Sequence, residues 1–373
     1  MSTFAPEIVP AGERTAARRP GQPLLTLAIP TYNRANFLAE LLETLLPQLT
    51  GLPDATAELL ISDNCSDDET AETVEDFRSR GLPCRYLRNA TNIGADGNFL
   101  QCVEQATGQY VWVLGDDDLL VPGAIRDLIS LLEQQEVHLV YLSSFSFSGA
   151  VDLANARRQS ADKLGRFAEI VTDGAYFLEK VNALVGLISV MLINKNRLEL
   201  TPHPPVDSLH NSNLMQVGWL FPLLGRQTSV LYVWQRLVAY RSYNSGGWGV
   251  CEVFGVRLQR IATEYFAQEP ELAEALMNGV LRYWLCDAIL EIRRGRHAEM
   301  CTENFASDIR HLFARNWRYW VFVWPMAELP VAVAMPVHRV LAAINKLTRV
   351  AQGMWRHMFC HGRYLRPASS VEV

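Results

Sequence analysis

Three consecutive aspartates, Asp116, Asp117 and Asp118, follow the apolar residues 110–114 after a single glycine. Carboxylates held this close repel one another by kcal/mol amounts unless a cation neutralises them. Their hard oxygen atoms suit Mg²⁺ or Mn²⁺, and such an ion can bridge carboxylates and a substrate diphosphate. The alternative is a solvated acidic turn that caps a helix beginning near Pro122, where the helix dipole favours acids.

Polar side chains follow two further apolar runs in the same way. Residues 31–33 come after the run 24–29, and Asp63 with Asn64 comes after the run 57–61. In a parallel sheet covered by helices on both faces, ligands bind beyond the carboxyl ends of the strands. We therefore expect three separate strand ends to point polar groups into one crevice.

The elements that must position these groups form an alternating pattern in the first 142 residues. Short apolar runs alternate with stripes of apolar residues spaced three and four apart, which favours an α/β fold with a mainly parallel sheet. The predicted strands are 24–29, 57–61, 84–87, 110–114 and 137–142, and the predicted helices are 34–49, 67–80, 96–106 and 123–134. Further along we expect a loop at 143–165, a strand at 183–193, a loop at 201–213 and helices through 252–315.

Four motifs occur in order, at residues 27–34, 61–68, 92–98 and 115–118. Together they resemble the nucleotide-sugar-binding half of family 2 glycosyltransferases, and the resemblance covers residues 23–145. It implies a GT-A-type fold, that is, a Rossmann-like sheet flanked by helices. The Gly-Asp-Asp-Asp form and the spacing look most like bacterial enzymes that add sugars to O-antigen or capsule precursors, the abequosyltransferase-like branch among them.

The resemblance also implies roles for individual residues. Asp63 matches the acid that accepts a hydrogen bond from the nucleobase, and Asp96 lies in the segment that contacts nucleotide or ribose. Residues 116–118 match the family's DXD motif, and Asp116 is also expected beside the nucleotide. The loop that holds the base and ribose corresponds to Pro30, Thr31, Tyr32 and Asn33.

The aspartate cluster departs from the common family form at Gly115, which stands in place of the first aspartate. By that alignment Asp117 is the main metal ligand and Asp116 fills the variable position. By simple i, i+2 spacing, Asp116 and Asp118 form the ligand pair instead. Strand alternation sends these two to one side and Asp117 to the other, but loops need not follow it, so both assignments stay open.

The expected chemistry is sugar transfer, in which a C–O bond to a diphosphate breaks and a carboxylate-held metal stabilises the leaving group. An inverting enzyme also needs a general base for the acceptor hydroxyl, and family members take it from the second half of the chain. The candidates are Asp207 and His210; their alternative interpretations are a turn residue and a surface side chain. Candidates for an acceptor pocket, with ordinary packing as the alternative, are Trp219, Arg241, Tyr243 and Trp248.

The charge is unevenly distributed along the chain. The formal net charge is −6, which argues against a general nucleic-acid binder.

Residues 319–335 are nearly all apolar but contain Pro325, Glu328 and Pro330, and no acid lies between Leu329 and Ser370. We predict an interfacial helix on an anionic membrane, with a buried helix at a domain or homo-oligomer interface as the alternative. The basic residues expected at the head groups are Arg339, Lys346, Arg349, Arg356, Arg363 and Arg366.

The seven cysteines show no C-x-x-C spacing, which favours reduced thiols in a cytoplasmic protein.

We expect a flexible leader over 1–22, a nucleotide-sugar-binding half over 23–145, an acceptor-binding half over 146–250 and a helical region with the membrane-associating tail over 251–373. The predicted function is transfer from a nucleotide sugar to a lipid-linked saccharide on the inner membrane face. The alternatives are a sugar nucleotidyltransferase, disfavoured because residues 31–34 form no Gly-rich basic loop, and a non-catalytic carbohydrate or membrane adaptor.

Overall fold

The computed structural model describes residues 17–53, 55–159, 166–201, 209–242, 249–296, 305–359 and 364–368. Its strands form a single sheet in the order β10-β7-β9-β6-β8-β4-β1-β2-β3, with β5 paired to β9. The strands are β1 (Leu25–Thr31), β2 (Ala57–Asp63), β3 (Arg85–Arg88), β4 (Tyr110–Val113), β5 (Leu119–Leu120), β6 (Leu139–Phe147), β7 (Ala168–Asp173), β8 (Met191–Asn194), β9 (Gln227–Arg241) and β10 (Tyr364–Leu365).

Strands β3, β2, β1 and β4 pair in parallel, and so do β6 and β9. Strand β8 runs antiparallel between β4 and β6, and β7 and β10 continue the sheet antiparallel beyond β9. The parallel part needs helical crossovers, and these crossovers supply α1, α2 and α3 in turn.

Fourteen α-helices lie in the described residues. Three π-helical segments extend them, at Cys251–Arg257 before α9, at Val280–Leu285 between α10 and α11, and at Tyr319–Val323 before α13. The helices are α1 (Ala35–Leu49), α2 (Thr70–Ser79), α3 (Gly94–Gln105), α4 (Ala124–Gln134), α5 (Leu153–Gln159), α6 (Gly174–Val181), α7 (Lys195–Leu198), α8 (Val217–Leu220), α9 (Leu258–Tyr265), α10 (Pro270–Gly279), α11 (Cys286–Arg293), α12 (Phe305–Phe313), α13 (Trp324–Glu328) and α14 (Val331–Phe359).

The sheet separates two apolar cores, because alternate residues of each strand point to opposite faces. Leu25, Leu27 and Ile29 of β1 are fully buried in the core under α1, α2 and α4, whereas Ala28 lies in the core shared with α3 and the C-terminal helices. Each large side chain buried in this way contributes about 1.5–3 kcal/mol. Gly279 allows α10 to approach α6 closely, since a Cβ there would lie 2.2 Å from the carbonyl oxygen of Glu179.

The predicted fold class is confirmed: a helix-flanked sheet with a parallel core is followed by a mostly helical C-terminal region. All nine elements predicted before residue 143 are present, with ends shifted by a few residues. The loop predicted at 143–165 is wrong at its start, where β6 continues to Phe147, and at α5. The strand predicted at 183–193 is wrong before Met191, since that part forms two 3₁₀ turns, at Asn182–Gly186 and Ile188–Val190.

The apolar segment 319–335 presents two different faces. Tyr319, Phe322 and Met326 are buried among the C-terminal helices, whereas Trp317 and Trp320 are exposed. Burial of the first face matches the buried-helix alternative for this segment. Within the described residues, none of the helices combines the length and the apolar composition needed to cross a bilayer.

Candidate active site

The carboxyl ends of β1, β2 and β4 meet at one edge of the sheet. Thr31 and Asp63 are register partners at the ends of β1 and β2. The Thr31 hydroxyl donates a 2.8 Å hydrogen bond to Asp116 Oδ2, although the two residues lie 85 positions apart in the chain. Pro30 is the preceding residue of β1 and is buried in the strand. The three polar segments predicted at strand ends therefore come together in space.

The loops after β1 and β2 are bound to each other by backbone hydrogen bonds around Asn33. Asn33 adopts a left-handed conformation, with φ 53°. Its N–H donates to Ser66 Oγ at 2.9 Å, and its Oδ1 accepts from the Asp67 N–H at 2.9 Å. The Asp68 carboxylate accepts from the Ala35 N–H at the start of α1. This arrangement fixes the loop conformation and leaves the Tyr32 side chain exposed beside the sheet edge.

Asp63 is fully buried and lies within a set of donors. Its Oδ1 accepts from the Ser66 N–H at 2.8 Å, and its Oδ2 accepts from the Tyr86 hydroxyl at 2.5 Å. The Arg88 Nε lies 3.4 Å from the same Oδ2. Burial, followed by the hydrogen bond to Asp63, raises the pKa of Tyr86. Asp63 therefore holds the β2–α2 loop to the end of β3 through these contacts.

Arg34 is the cation that the aspartate cluster contacts on the α1 side. Its Nη1 lies 3.1 Å from Asp116 Oδ1 and 3.4 Å from Asp117 Oδ2. Two carboxylate oxygens from neighbouring residues thus converge on one positively charged atom. The Arg34 side chain is 38% exposed, so this cation lies at the mouth of the site rather than in the core.

Arg241, the last residue of β9, supports the other side of the cluster. Its N–H donates to Asp118 Oδ1 at 2.9 Å, and its Nε donates to the Asp117 carbonyl at 3.1 Å. The guanidinium carbon lies 4.7 Å from the Phe37 ring centroid and 4.6 Å from that of Phe147. These contacts fix the backbone turn that presents the aspartates.

Gly115 is required by the closeness of the carboxylates that follow it. A Cβ at this position would lie 3.1 Å from Asp117 Oδ1 and 3.3 Å from both Asp118 Oδ2 and Ser189 Oγ. The Ser189 hydroxyl also accepts from the Gly115 N–H at 2.9 Å. A side chain at this position would make tight contacts with these three oxygens unless they shifted by a few tenths of an ångström.

The pKa values of two carboxylates of the cluster, Asp116 and Asp118, are raised. Burial raises the pKa of Asp116 to about 6, while Arg34 opposes and Asp117 reinforces this shift. Burial and the Asp117 charge raise the pKa of Asp118 to about 7. A metal ion would relieve both causes by replacing lost hydration and offsetting repulsion.

The donor set around residues 116–118 fits a hard divalent cation. The oxygens available are carboxylate and hydroxyl oxygens, the type that Mg²⁺ and Mn²⁺ prefer. The two carboxylate oxygens of Asp117 have different neighbours. Its Oδ2 lies 3.4 Å from Arg34 Nη1, and its Oδ1 borders the space beside Gly115 that Asp118 Oδ2 also borders. Neither ligand pair expected from the sequence is singled out by these contacts.

Asp96 contacts the segment that carries His210, one of the two candidates for the general base. Its Oδ2 accepts from the Asn211 N–H at 2.6 Å. Arg257 holds the same segment by donating to the Asn211 carbonyl at 3.0 Å. His210, the neighbouring residue, is exposed. Asp207, Tyr243 and Trp248 lie outside the described residues, and Trp219 is buried in the apolar core, as the packing alternative expected.

Sequence reasoning missed Arg34 and Ser189 and assigned Arg241 only to an acceptor pocket. Arg34 directly follows the Thr-Tyr-Asn segment and immediately precedes α1, so a cation at this position could have been matched to the acidic cluster. Nothing in the local pattern around Ser189 or Arg241 pointed to the cluster, because β8 and β9 were not predicted at their true positions.

Part of the chain is similar to known proteins. Residues 26–187 match the model of Glycosyl transferase family 2. The abequosyltransferase RfbV of Salmonella typhimurium is 33% identical over 183 residues, which is 47% of this chain and 54% of that protein. A GalNAc(5)-diNAcBac-PP-undecaprenol β-1,3-glucosyltransferase of Campylobacter jejuni is 29% identical over 31% of this chain and 37% of that protein. The chain thus spans about a third to a half of the length of these relatives.

Two solved crystal structures have a fold similar to that of this chain. The crystal structure of residues 1–349 of S. aureus TarS matches with a TM-score of 0.53 and 16% identity, covering 85% of this chain and 88% of that one. The complex of the same protein with UDP-GlcNAc matches with a TM-score of 0.55. The fold is therefore of the GT-A type, and residues 26–187 are similar to family 2 glycosyltransferases.

Replacing Asp118 with Asn should stabilise the protein in a chelating buffer, and increasingly so as pH rises. The raised pKa means that the folded state holds this proton more tightly than the unfolded state does. The resulting stability is complete below about pH 4 and is lost as pH rises through about 7. We expect Asp118→Asn to gain on the order of 2 to 4 kcal/mol relative to wild type between pH 5 and pH 8, measured by denaturant unfolding.

The exposed Asp67, in the neighbouring loop, provides the matched control. Asp67→Asn should leave the pH dependence of unfolding as it is in wild type. Parallel pH profiles for wild type and Asp118→Asn would contradict the assignment of a buried, destabilising carboxylate.

Proposed function

We propose that the protein transfers a sugar from a nucleotide-diphosphate donor to a glycan acceptor during bacterial surface polysaccharide synthesis. The observation that carries this proposal is the meeting of Thr31, Asp63 and residues 116–118 at one sheet edge of a family 2 domain. The names of the relatives support the same class of reaction, since they transfer abequose, glucose and N-acetylglucosamine. The donor base stays open.

The proposed metal is Mg²⁺ or Mn²⁺, with Asp117 as principal ligand and Asp116 or Asp118 as its companion. The ion would supply Lewis-acid stabilisation to the departing nucleoside diphosphate. Asp116 is held for this task by the Thr31 hydroxyl, and Asp118 by the Arg241 N–H. Arg34 neutralises the cluster when no metal is bound and provides a cation near the diphosphate when one is.

The proposed stereochemistry is inversion, with the general base supplied by the segment that carries Asp207 and His210. The base removes the proton of the acceptor hydroxyl as its oxygen forms a bond to the anomeric carbon. The bond from that carbon to the diphosphate oxygen breaks at the same time, and the electron pair leaves with the diphosphate. The hydrogen bond from the Asn211 N–H to Asp96 supports the proposal for His210, because it holds the residue next to His210 against the first half of the chain.

The proposed acceptor is a lipid-linked saccharide, and the enzyme is proposed to act on the cytoplasmic face of the inner membrane. One relative is named for an undecaprenyl-diphosphate-linked acceptor. Helix α14 carries four exposed apolar residues, Val333, Val340, Ile344 and Leu347, on one face, because their spacing of 7, 4 and 3 residues follows the helical repeat. We call these four residues the apolar stripe. Arg339 and Lys346 are exposed on the flank of the stripe.

The donor proposal is tested by thermal shift with UDP-, GDP-, CDP- and dTDP-sugars, each with and without Mn²⁺. At least one donor should raise the melting temperature, and more so with Mn²⁺, because a ligand stabilises the state that binds it. Asp117→Asn should fold normally and lose the Mn²⁺-dependent part of the shift, whereas Asp67→Asn should retain it. A full Mn²⁺-dependent shift in Asp117→Asn would exclude the proposed ligand.

The membrane proposal is tested by sedimentation with vesicles containing phosphatidylglycerol. Replacing Val340, Ile344 and Leu347 together with Ser should weaken binding roughly tenfold or more, since the apolar contact is lost. Binding by wild type should also decrease as salt rises, because basic side chains are screened. Leu312→Ser, an exposed apolar position on α12, is the control. Equal sedimentation of the triple variant and wild type would show that the stripe contacts something other than lipid.

A further inference from the structure

A cleft of about 270 Å³ lies on the C-terminal helical region, apart from the aspartate cluster. One wall is formed by residues 282–287 and the other by α14. Its lining includes three residues with permanent positive charge, Arg282, Lys346 and Arg349, against one acid, Asp287. Nothing in the reaction proposed above uses these residues.

Arg282 is held in place by three hydrogen bonds across the cleft. Its Nε donates to Asn345 Oδ1 at 2.8 Å, and its Nη2 donates to Thr348 Oγ1 at 2.8 Å. The Asn345 side chain donates back to the Arg282 carbonyl at 3.2 Å. A guanidinium fixed in this way loses little conformational freedom when it binds an anion.

Arg349 is positioned by an aromatic ring. Its guanidinium carbon lies 3.8 Å from the centroid of the Tyr283 ring, which forms part of the same wall as Arg282. Stacking leaves the edge of the guanidinium available for paired hydrogen bonds to phosphate oxygens. Lys346 lies exposed at the rim, where a flexible ammonium can follow a ligand.

The single acid of the cleft has its own partner. The Asp287 carboxylate is hydrogen-bonded to His338 Nε2, and Cys286 Sγ lies 3.7 Å from Asp287 Oδ1. Cysteine, aspartate and histidine could in principle hold a metal, but burial raises the pKa of Cys286 and so keeps its thiol protonated. Three nearby cations further oppose a positively charged ligand. The cleft therefore favours an anion with more than one negative charge.

The cleft and the apolar stripe are adjacent faces of one helix. Residues 338, 341, 345 and 349 line the cleft at helical spacing, and Val340, Ile344 and Leu347 belong to the stripe. An anion in the cleft would therefore lie next to a surface suited to hydrocarbon. We propose that this cleft binds the diphosphate of a prenyl-diphosphate-linked acceptor, with Arg282, Lys346 and Arg349 as its ligands. The proposal rests on the lipid-linked acceptor of the proposed function and assigns it a second contact, remote from the aspartates.

The binding test uses full-length protein carrying Asp117→Asn, so that the aspartate cluster contributes no metal-dependent diphosphate binding. Calorimetric titration with geranyl diphosphate, in chelator and without vesicles, should detect binding. Replacing Lys346 and Arg349 together with Gln should weaken it at least tenfold. Arg339→Gln, an exposed charge on the same helix outside the cleft lining, should change it less than twofold.

Two competing ligands distinguish the source of the diphosphate. Geranyl alcohol should not displace geranyl diphosphate, and UDP should compete at least tenfold more weakly. Equal affinity of the double Gln variant, or equal competition by UDP, would overturn the proposal. The thermal shift caused by the donor is also measured in a protein that has wild-type aspartates and Gln at positions 346 and 349. If this protein retains the donor shift, the proposed sugar transfer is still supported even if geranyl diphosphate does not bind.

Discussion

Three carboxylates crowded onto one buried turn impose an electrostatic constraint that the surrounding structure must meet. The turn is buried on both flanks, so water cannot neutralise the repulsion, and the pKa values of Asp116 and Asp118 are raised to about 6 and about 7. Two arginines contact this turn in different ways. The Arg34 guanidinium contacts the carboxylates of Asp116 and Asp117, whereas Arg241 donates its backbone N–H to the Asp118 carboxylate and its Nε–H to the Asp117 carbonyl.

The antiparallel extension of the sheet brings further contacts to the aspartate turn. Arg241 ends β9, a 15-residue strand that pairs with β6, β7 and the short β5 beside the aspartates. Ser189, on the turn before β8, approaches the cluster from the opposite side. The second half of the chain thus contributes Ser189 and Arg241 to the surroundings of the aspartate turn. The helical region packs against this half and carries α14 with its stripe and cleft.

Much of the nucleotide half could be predicted from sequence because its pattern is local. Apolar runs such as residues 24–29 and stripes such as 34–49 identify buried strands and helices, and parallel pairing then brings Thr31, Asp63 and Asp116 to one edge. The second half could not be predicted in this way. Residues 183–190 are as apolar as a strand but form 3₁₀ turns, in which the Ser189 carbonyl accepts from the Trp112 indole at 2.9 Å. Contacts between residues far apart in the chain, such as Arg241 with Asp118, leave no signal in local periodicity.

The central claim is that the aspartate turn performs chemistry on a nucleotide sugar. The direct measurement is release of nucleoside diphosphate coupled to sugar transfer, in wild type and in a variant with Asp116, Asp117 and Asp118 all replaced by Ala. The account predicts that wild type turns over with added Mg²⁺ or Mn²⁺ and that the triple variant, folded by circular dichroism, shows a loss of at least a hundredfold. Equal turnover by the two proteins would contradict it.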